Sequence, residues 1–336
     1  MLDIIIPHYN EPWEIGEKLF QILNLQRGIG FDRFRVLLIH DGTEPFPEET
    51  FRPFRYRVDQ IRIPHGGVSA ARNVGIDHAT ADWIMFCDFD DTFAGVYALR
   101  DILGVLPAED YDVMWARMIA EDLIDGHNRI FYTPDTQTWV FTHGKLYRRQ
   151  FLLNTGIRFN EELVFNEDSE FNAQIIARLD YKRIGEIKTP CPVYIWIRRP
   201  SSVTQSGRED EAAYGHFRRN LTVTEANRQH RGTVHYFGMV TRTAWDTWFM
   251  VQGGRVSAGM KDRLVREFAP WIRERLDAFG KVTPDILRQI RAVSRMELTD
   301  PGETVRDEPA LVLAWINEII RRGDSDGNIH NEPGTD

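Results

Sequence analysis

The stretch HGGVSAARNVGIDHATADWIMFCDFDD, residues 65–91, joins a run of small residues to an apolar run and an acidic cluster. A glycine pair, Gly66 and Gly67, is followed by small residues, which predicts a helix over residues 68–78 that packs closely on a sheet. The apolar run 83–87 predicts a buried strand. The carboxylates that follow this strand are Asp88, Asp90 and Asp91. The stretch therefore predicts an α/β protein with a polar site at the end of a strand.

Short apolar runs on either side continue this pattern. Residues 2–6, 36–39 and 60–63 predict three more buried strands, and a helix is expected to begin near Asn10 and Pro12. The alternation of strands and helices indicates a mixed, mostly parallel sheet flanked by helices. Ligands of such sheets bind beyond the carboxyl ends of the strands, where DFDD falls.

The pattern becomes mixed after residue 105. We expect strands at 112–116, 130–133, 139–142 and 193–197, and helices at 148–153 and 167–177. From residue 209 onward apolar residues recur at helical spacing, which predicts a helical C-terminal lobe over 207–322. The last stretch, 323–336, lacks this periodicity and is predicted to be a disordered tail.

The composition narrows the class of protein. A chain of 336 residues with 42% apolar residues can form one large domain or two ordinary ones. The net charge of -9 argues against nucleic acid as the main partner. No run approaches the ~18 apolar residues of a membrane span, and no signal peptide precedes the first strand. We therefore expect a cytoplasmic protein, with peripheral membrane contact left open.

The acidic stretch suits a cation. Asp88 and Asp90 are two apart, so on extended backbone their side chains leave the same face. Two converging carboxylates fit a hard divalent cation, Mn²⁺ or Mg²⁺. The alternative is a solvated acidic turn that caps the next helix. An EF-hand is excluded because Phe93 stands where its loop requires glycine.

Several motifs resemble those of family 2 glycosyltransferases, which have the GT-A fold. Residues 65–91 match that family's G-x-S-x-A-R-N-x-G helix and I-x-F-x-D-x-D-D strand end. DIIIPHYNE (3–11) and VLLIHDGTE (36–44) are similar to its first two strands. VFNEDSEFN (164–172) resembles its Glu-Asp element, and WIRRPSSVTQS (196–206) its Arg and Ser/Thr segment. The resemblance predicts a GT-A domain over 1–206.

This resemblance implies a donor site for a nucleotide sugar. The expected donor-binding residues are Pro7, Tyr9, Asn10, Asp41, Arg72, Asp88, Lys145, Arg198 and Ser202. Tyr9 would stack on the nucleobase, Asp41 would accept the uracil imide hydrogen, and Asp90 would hold the cation that bridges the diphosphate. His40 stands where the family usually has the first of two aspartates, which leaves the base open.

The same resemblance implies a catalytic pair, Glu167 and Asp168. Acidic residues in a first helical turn are also favoured by the helix dipole alone. By the resemblance, Asp168 is the base that takes the proton of an acceptor hydroxyl, and Glu167 orients it or binds the acceptor. The sequence thus predicts a metal-dependent inverting glycosyltransferase that uses a UDP-sugar in polysaccharide or glycoconjugate synthesis. The acceptor, a saccharide, a lipid-linked group or a protein, stays open.

Two alternatives belong to other classes. A nucleotidyltransferase can share such a sheet, but it needs a basic triphosphate loop, and HYNEPWE (8–14) has no lysine or arginine. A binding module with a decayed nucleotide site is the other, for which His40 is the hint. The aromatic segment 235–254 could pack in the core, form a homodimer contact, or touch an acceptor or membrane.

Overall fold

The computed structural model describes residues 1–106, 110–123, 129–132, 139–189, 191–199, 208–228, 234–275 and 308–328. The chain divides into two units, Met1–Gly207 and Arg208–Asp336. Among the described residues, no helix has the length and apolar character that crossing a membrane requires.

The first unit combines strands and helices in the predicted alternation. Its strands are β1 (Leu2–His8), β2 (Phe34–Asp41), β3 (Arg57–Ile63), β4 (Trp83–Phe86), β5 (Thr92–Phe93), β6 (Val113–Ala116), β7 (Met118–Leu123), β8 (Arg129–Tyr132), β9 (Lys145–Arg148), β10 (Ile184–Ile187) and β11 (Tyr194–Arg198). Its helices are α1 (Trp13–Asn24), α2 (Gly67–His78), α3 (Ala98–Leu103), α4 (Arg149–Thr155) and α5 (Glu167–Arg178).

These strands form two sheets. In the part of the chain that the structure describes, the larger sheet has seven strands in the order β10-β6-β9-β4-β1-β2-β3. Within it, β1 is parallel to β2 and β4, β2 to β3 and β6 to β10, whereas β9 is antiparallel to β4 and β6. The smaller sheet has the order β5-β11-β7-β8. The prediction of a mixed, mostly parallel sheet is confirmed.

Helices cover both faces of the larger sheet. On one face Ile4 of β1 joins a core that includes Leu19 of α1. On the other face Ile5 joins a core that includes Ile76 of α2. Burial on both sides explains why the strands read as continuous apolar runs rather than as alternating patterns.

The predicted strand at 139–142 is wrong. Residues 139–142 lie outside any strand, and the strand of this region is β9 (Lys145–Arg148). Gly144, at φ 69°, begins the approach to β6, and a Cβ there would lie 2.9 Å from the carbonyl oxygen of Ala116. The apolar side chains that suggested a strand pack on other rings instead, as Trp139 does 5.8 Å from Trp115.

The first helix also begins later than predicted. Pro12 occupies the N-cap position of α1, and Asn10 is not its cap. Asn10 has a left-handed backbone, at φ 57°, and its N–H donates to Oγ1 of Thr43 at 3.0 Å. Asn10 therefore links the loop after β1 to the loop after β2.

The second unit is helical among its described residues. Its helices are α6 (Glu209–Ala226), α7 (Val234–Gln252), α8 (Ala258–Arg273) and α9 (Glu308–Asn328). In the aromatic segment Val240 and Trp245 are buried, whereas Phe249 is 44% exposed. Part of that segment thus packs inside the unit, and the homodimer contact stays a prediction. Helix α9 includes residues 323–328, which we expected to be disordered, and 329–336 lie outside the described residues.

A buried phenylalanine anchors the turn after β4. Phe89 lies between Asp88 and Asp90 in the chain and is 2% exposed. Its ring packs 4.7 Å from that of His8. It also lies against α1, where a Cβ on Gly16 would come within 2.3 Å of the ring. The absence of a side chain at Gly16 therefore makes room for the ring that fixes the acidic turn.

We expect Gly16→Ala to lower the free energy of unfolding by about 1–3 kcal/mol, because the added methyl group overlaps the Phe89 ring. Gly95→Ala is the matched control, since a Cβ there meets nothing within 4 Å. Denaturant unfolding of both variants measures the difference. Equal stability of the two variants would contradict the close contact between α1 and Phe89.

Candidate functional site

A buried arginine lies at the centre of the site. Arg72 belongs to α2 and is 2% exposed. Its Nη1 donates to Oε1 of Glu167 at 3.0 Å and to Oδ1 of Asp168 at 2.8 Å. Its Nη2 donates to Oδ1 of Asp88 at 2.8 Å. One guanidinium thus joins the acidic turn after β4 to the first turn of α5.

Charge neutralisation explains the ionisation of these groups. Burial opposes the charge of Arg72, but Asp168, Asp88 and Glu167 raise its pKa above the ordinary value. Burial likewise opposes the charge of Asp88, yet Arg72 and His143 hold its pKa well below the usual range. Arg72 was expected to contact the donor directly, and in the structure both of its terminal nitrogens bind carboxylates.

His143 joins the same cluster. It is 5% exposed, and its Nε2 lies 3.1 Å from Oδ2 of Asp88 and 3.8 Å from Oδ2 of Asp91. Burial lowers its pKa, but the hydrogen bond to Asp88 and the acidic neighbours raise it to about 9. Its ring stacks 5.5 Å from that of Tyr194. From the sequence alone this histidine could be a metal ligand, although a lone histidine is more often structural.

The acidic stretch forms a turn rather than an extended segment. The N–H of Asp91 donates to the carbonyl oxygen of Asp88 at 3.1 Å. Asp91 is fastened to β11, because its Oδ2 accepts from the Tyr194 hydroxyl at 2.5 Å and its Oδ1 accepts from the N–H of Ile197 at 2.8 Å. Ligand atoms of Asp88, Asp91 and His143 all lie within 4.8 Å of one another, a spacing that suits a metal ion.

Asp90 has a different partner from its neighbours. Both Nε and Nη2 of Arg199 donate to its Oδ2, the Nε at 3.1 Å. Burial, and next the charge of Asp88, raise the pKa of Asp90. The residue selected from sequence, Arg198, lies 3.4 Å from Asp122 and over the ring of Trp196. Successive side chains of an extended chain point to opposite faces, so the site receives Arg199.

Asp168 is held from two sides. Besides Arg72, its Oδ2 accepts from the backbone N–H of Thr142 at 3.2 Å and from the Thr142 hydroxyl at 3.1 Å. The neighbouring Glu167 has its pKa raised to about 7, by burial and then by the charge of Asp168. Lys145, expected at the donor phosphates, is 1% exposed and donates from Nζ to the carbonyl oxygen of Phe141 at 2.5 Å. Lys145 and Thr142 therefore both secure the segment beside Asp168.

The loops after β1 and β2 lie side by side. Tyr9 is 49% exposed, and its ring stacks on that of His65 at 4.3 Å. Asp41 is buried, and its carboxylate accepts from His65 Nδ1 at 2.8 Å and from the N–H groups of Gly66 and Gly67 at 2.6 and 2.9 Å. Asp41 thus shapes the turn into α2. Pro7 is half-buried in β1, and Ser202 lies outside the described residues.

His40 faces the interior of the protein. It is 0% exposed, and its Nδ1 lies 2.9 Å from Nδ1 of His8. Its Nε2 lies 2.9 Å from Oε1 of Gln60, and Nε2 of His8 donates to the carbonyl oxygen of Glu11 at 2.8 Å. Burial, and next the neighbouring His8, lower the pKa of His40 to about 4. The imidazole that departs from the family pattern is therefore buried and does not reach the surface of the protein.

Glu11 also belongs to this region, although no sequence motif assigned it a role. Its Oε2 accepts from the N–H of Tyr9 at 3.3 Å. Its pKa is raised to about 7, mainly by burial, with the charge of Asp90 adding to the effect. Burial and the nearby charge of Asp90 disfavour the ionised form of Glu11, so a cation is favoured in this region.

Replacing Arg72 by Met should lower the free energy of unfolding at pH 7 by about 3–5 kcal/mol, because it leaves buried carboxylates without their cation. Arg57→Met is the control, since Arg57 is 70% exposed. Because Arg72 lowers the pKa of Asp88, its contribution is fully present above the unfolded carboxylate pKa of about 4, declines below it, and is lost as the pH falls through the lower pKa of the folded state. Denaturant unfolding at pH 7 and pH 3 should show the penalty shrinking in acid, and a constant penalty would refute the charge network.

Comparisons with known proteins agree with this geometry. Residues 3–168 match the family model described as glycosyl transferase family 2. The uncharacterized glycosyltransferase EpsJ of Bacillus subtilis (strain 168) is 27% identical over 61% of this chain and 63% of EpsJ. The poly(ribitol-phosphate) beta-N-acetylglucosaminyltransferase TarS of Staphylococcus aureus is 24% identical over 63% of this chain and 38% of TarS. The chain thus spans less than two thirds of these relatives' own length.

A solved structure shares the fold. The crystal structure of S. aureus TarS residues 1–349 in complex with UDP-GlcNAc has a TM-score of 0.52 at 16% identity, covering 90% of this chain and 94% of that chain. The GT-A fold expected from the motifs is thereby confirmed. Since the matched residues 3–168 include β1 to β4, the acidic turn and the Glu167–Asp168 pair, this N-terminal half of the chain belongs to glycosyl transferase family 2.

Proposed function

We propose that this protein is a metal-dependent inverting glycosyltransferase that moves a sugar from a UDP-sugar to an acceptor hydroxyl, in polysaccharide or glycoconjugate synthesis. The observation that carries the proposal is the Arg72 bridge, which fixes the acidic turn beside Glu167 and Asp168. Asp88, which is proposed for the donor site, and Asp168, the proposed base, are thereby held close together. TarS, named as an N-acetylglucosaminyltransferase and solved with UDP-GlcNAc, supports a UDP-sugar.

Asp90 is the proposed ligand of a divalent cation, Mn²⁺ or Mg²⁺. Its side chain is 23% exposed, so water and donor oxygens can complete the coordination that these ions prefer. The group of Asp88, Asp91 and His143 is the alternative, but His143, with a pKa of about 9, must first release its proton. When bound, the cation would stabilise the negative charge of the leaving nucleoside diphosphate.

The donor is proposed to lie over the carboxyl ends of β1, β2 and β4. Tyr9, half-exposed and already stacked on His65, offers an aromatic face to the nucleobase. Asn10 holds the adjacent loop through Thr43. Pro7, Asp41 and Lys145 are proposed to shape this pocket from below, while Arg198 and Ser202 belong to the segment proposed to cover the diphosphate.

Asp168 is proposed to accept the proton of the acceptor hydroxyl as its oxygen attacks the anomeric carbon. Arg72 and Thr142 orient the carboxylate. A single displacement with inversion needs one base and no protein nucleophile. Glu167 is a second candidate for the base, because a pKa of about 7 matches the task near neutral pH.

Asp168→Asn should reduce sugar transfer by about 10²–10⁴-fold, because the amide cannot accept the proton. Binding of UDP with Mn²⁺, measured by calorimetry, should stay at the wild-type level. Glu167→Gln is the matched comparison. Full activity of Asp168→Asn together with an inactive Glu167→Gln would transfer the role of base to Glu167.

Calorimetric titration with UDP, GDP, CDP and TDP, each with and without Mn²⁺, tests the donor site. We expect Mn²⁺-dependent binding of UDP that Asp90→Ala weakens strongly. Detectable transfer, or slow hydrolysis of the donor, would exclude a decayed binding module. Binding of a nucleoside triphosphate with release of pyrophosphate would instead favour the nucleotidyltransferase.

A further inference from the structure

The carboxylates of the acidic turn are held by two kinds of contact. Asp88 is neutralised by Arg72 of α2. The side chain of Arg72 is 3% exposed and binds three carboxylates. Asp91 is fastened by the Tyr194 hydroxyl and the β11 backbone. These contacts are internal to the packed sheet and its helices.

The pair of Asp90 and Arg199 differs from these contacts. Both side chains reach solvent, with Arg199 27% and Asp90 23% exposed. Two nitrogens of Arg199 converge on one oxygen of Asp90. Arg199 follows the last residue of β11, so its side chain is held by the end of a strand rather than by surrounding elements. A partly solvated ion pair of this kind is weak and can be exchanged.

Asp90 lies in a turn that carries further negative charge. Asp88 and Asp91 belong to the same turn, and the Asp90 carboxylate is paired with a cation, Arg199. Two cations that compete for one carboxylate oxygen repel each other in this partly desolvated place. A divalent ion that binds Oδ2 of Asp90 therefore displaces Arg199, which contacts that same oxygen.

We propose that Arg199 is a built-in counter-ion of Asp90, which a divalent cation displaces and which then binds the diphosphate of the donor. The second half rests on the proposed function, whereas the competition between Arg199 and the cation does not. A planar guanidinium can bind two phosphate oxygens at once, so the released side chain finds a new anion when the donor arrives with its metal. The arrangement keeps each charge paired before and after binding.

Titration of Mn²⁺ into the full chain without nucleotide, followed by calorimetry, tests the first half. Arg199→Gln should bind Mn²⁺ about three- to fivefold more tightly than the wild type, because the competing cation is gone. Arg199→Lys keeps the charge and should stay close to the wild type. Arg57→Gln makes the same change of net charge at an exposed position of β3, away from the acidic turn, and its Mn²⁺ affinity should stay within about twofold.

Asp90→Ala locates the effect. In that background Arg199→Gln should no longer change the affinity for Mn²⁺, since the shared carboxylate is absent. A persistent change would overturn the competition at Asp90. So would equal Mn²⁺ affinity of Arg199→Gln and wild type, or no Mn²⁺ binding by either.

Titration of UDP at saturating Mn²⁺ tests the second half. Arg199→Gln should weaken UDP about tenfold or more, because a charge-assisted hydrogen bond to phosphate is lost. The single substitution Arg199→Gln should thus strengthen the binding of Mn²⁺ and weaken the binding of UDP. A general loosening of the site would not change the two affinities in opposite directions. Unchanged UDP affinity would overturn the transfer of Arg199 to the diphosphate.

The two proposals fail in different ways. If no nucleoside diphosphate binds and no sugar is transferred, but Arg199→Gln still strengthens Mn²⁺ binding, the proposed function is wrong and the counter-ion role stands. If sugar is transferred and Arg199→Gln leaves the Mn²⁺ affinity unchanged, the proposed function stands and the counter-ion role is wrong.

Discussion

The site depends on one constraint, a single buried guanidinium that must satisfy three carboxylates. Arg72 can do so only if α2, the turn after β4 and the first turn of α5 approach one point. Removing such a cation leaves charges that the interior cannot solvate, whereas its presence adds little net stability over an apolar core. The network is therefore better understood as a device for position than as a source of stability.

Steric constraints fix the backbone around that point. Phe89 fills the space that Gly16 leaves open on α1, and this holds the acidic turn from below. Gly144 lets the chain pass close to β6, which brings His143 and Thr142 to the acidic groups. Against this rigid frame, the partly exposed pair of Asp90 and Arg199 is the contact that can rearrange.

The sequence was sufficient where one strong physical signal dominated. Strands buried on both faces produce apolar runs, so β1 to β4 could be located, and the acidic turn could be placed at the end of β4. The sequence was insufficient where the direction of a side chain decides its role. Residues 139–142 have strand-like side chains that serve aromatic packing, and the choice between Arg198 and Arg199 depends on the phase of β11. Likewise, nothing in the sequence says that His40 points inward.

The buried pair of His8 and His40 has a consequence for the chemistry of the strand ends. The register of β1 and β2 places His8 directly opposite His40. Their contacts to each other, to Glu11 and to Gln60 call for three hydrogens, but two neutral imidazole rings carry two. An aspartate at position 40 would supply a second acceptor and hold His8 as a cation. With histidine there, burial lowers the pKa of both rings and the pair stays neutral, so one of the three contacts lacks a hydrogen.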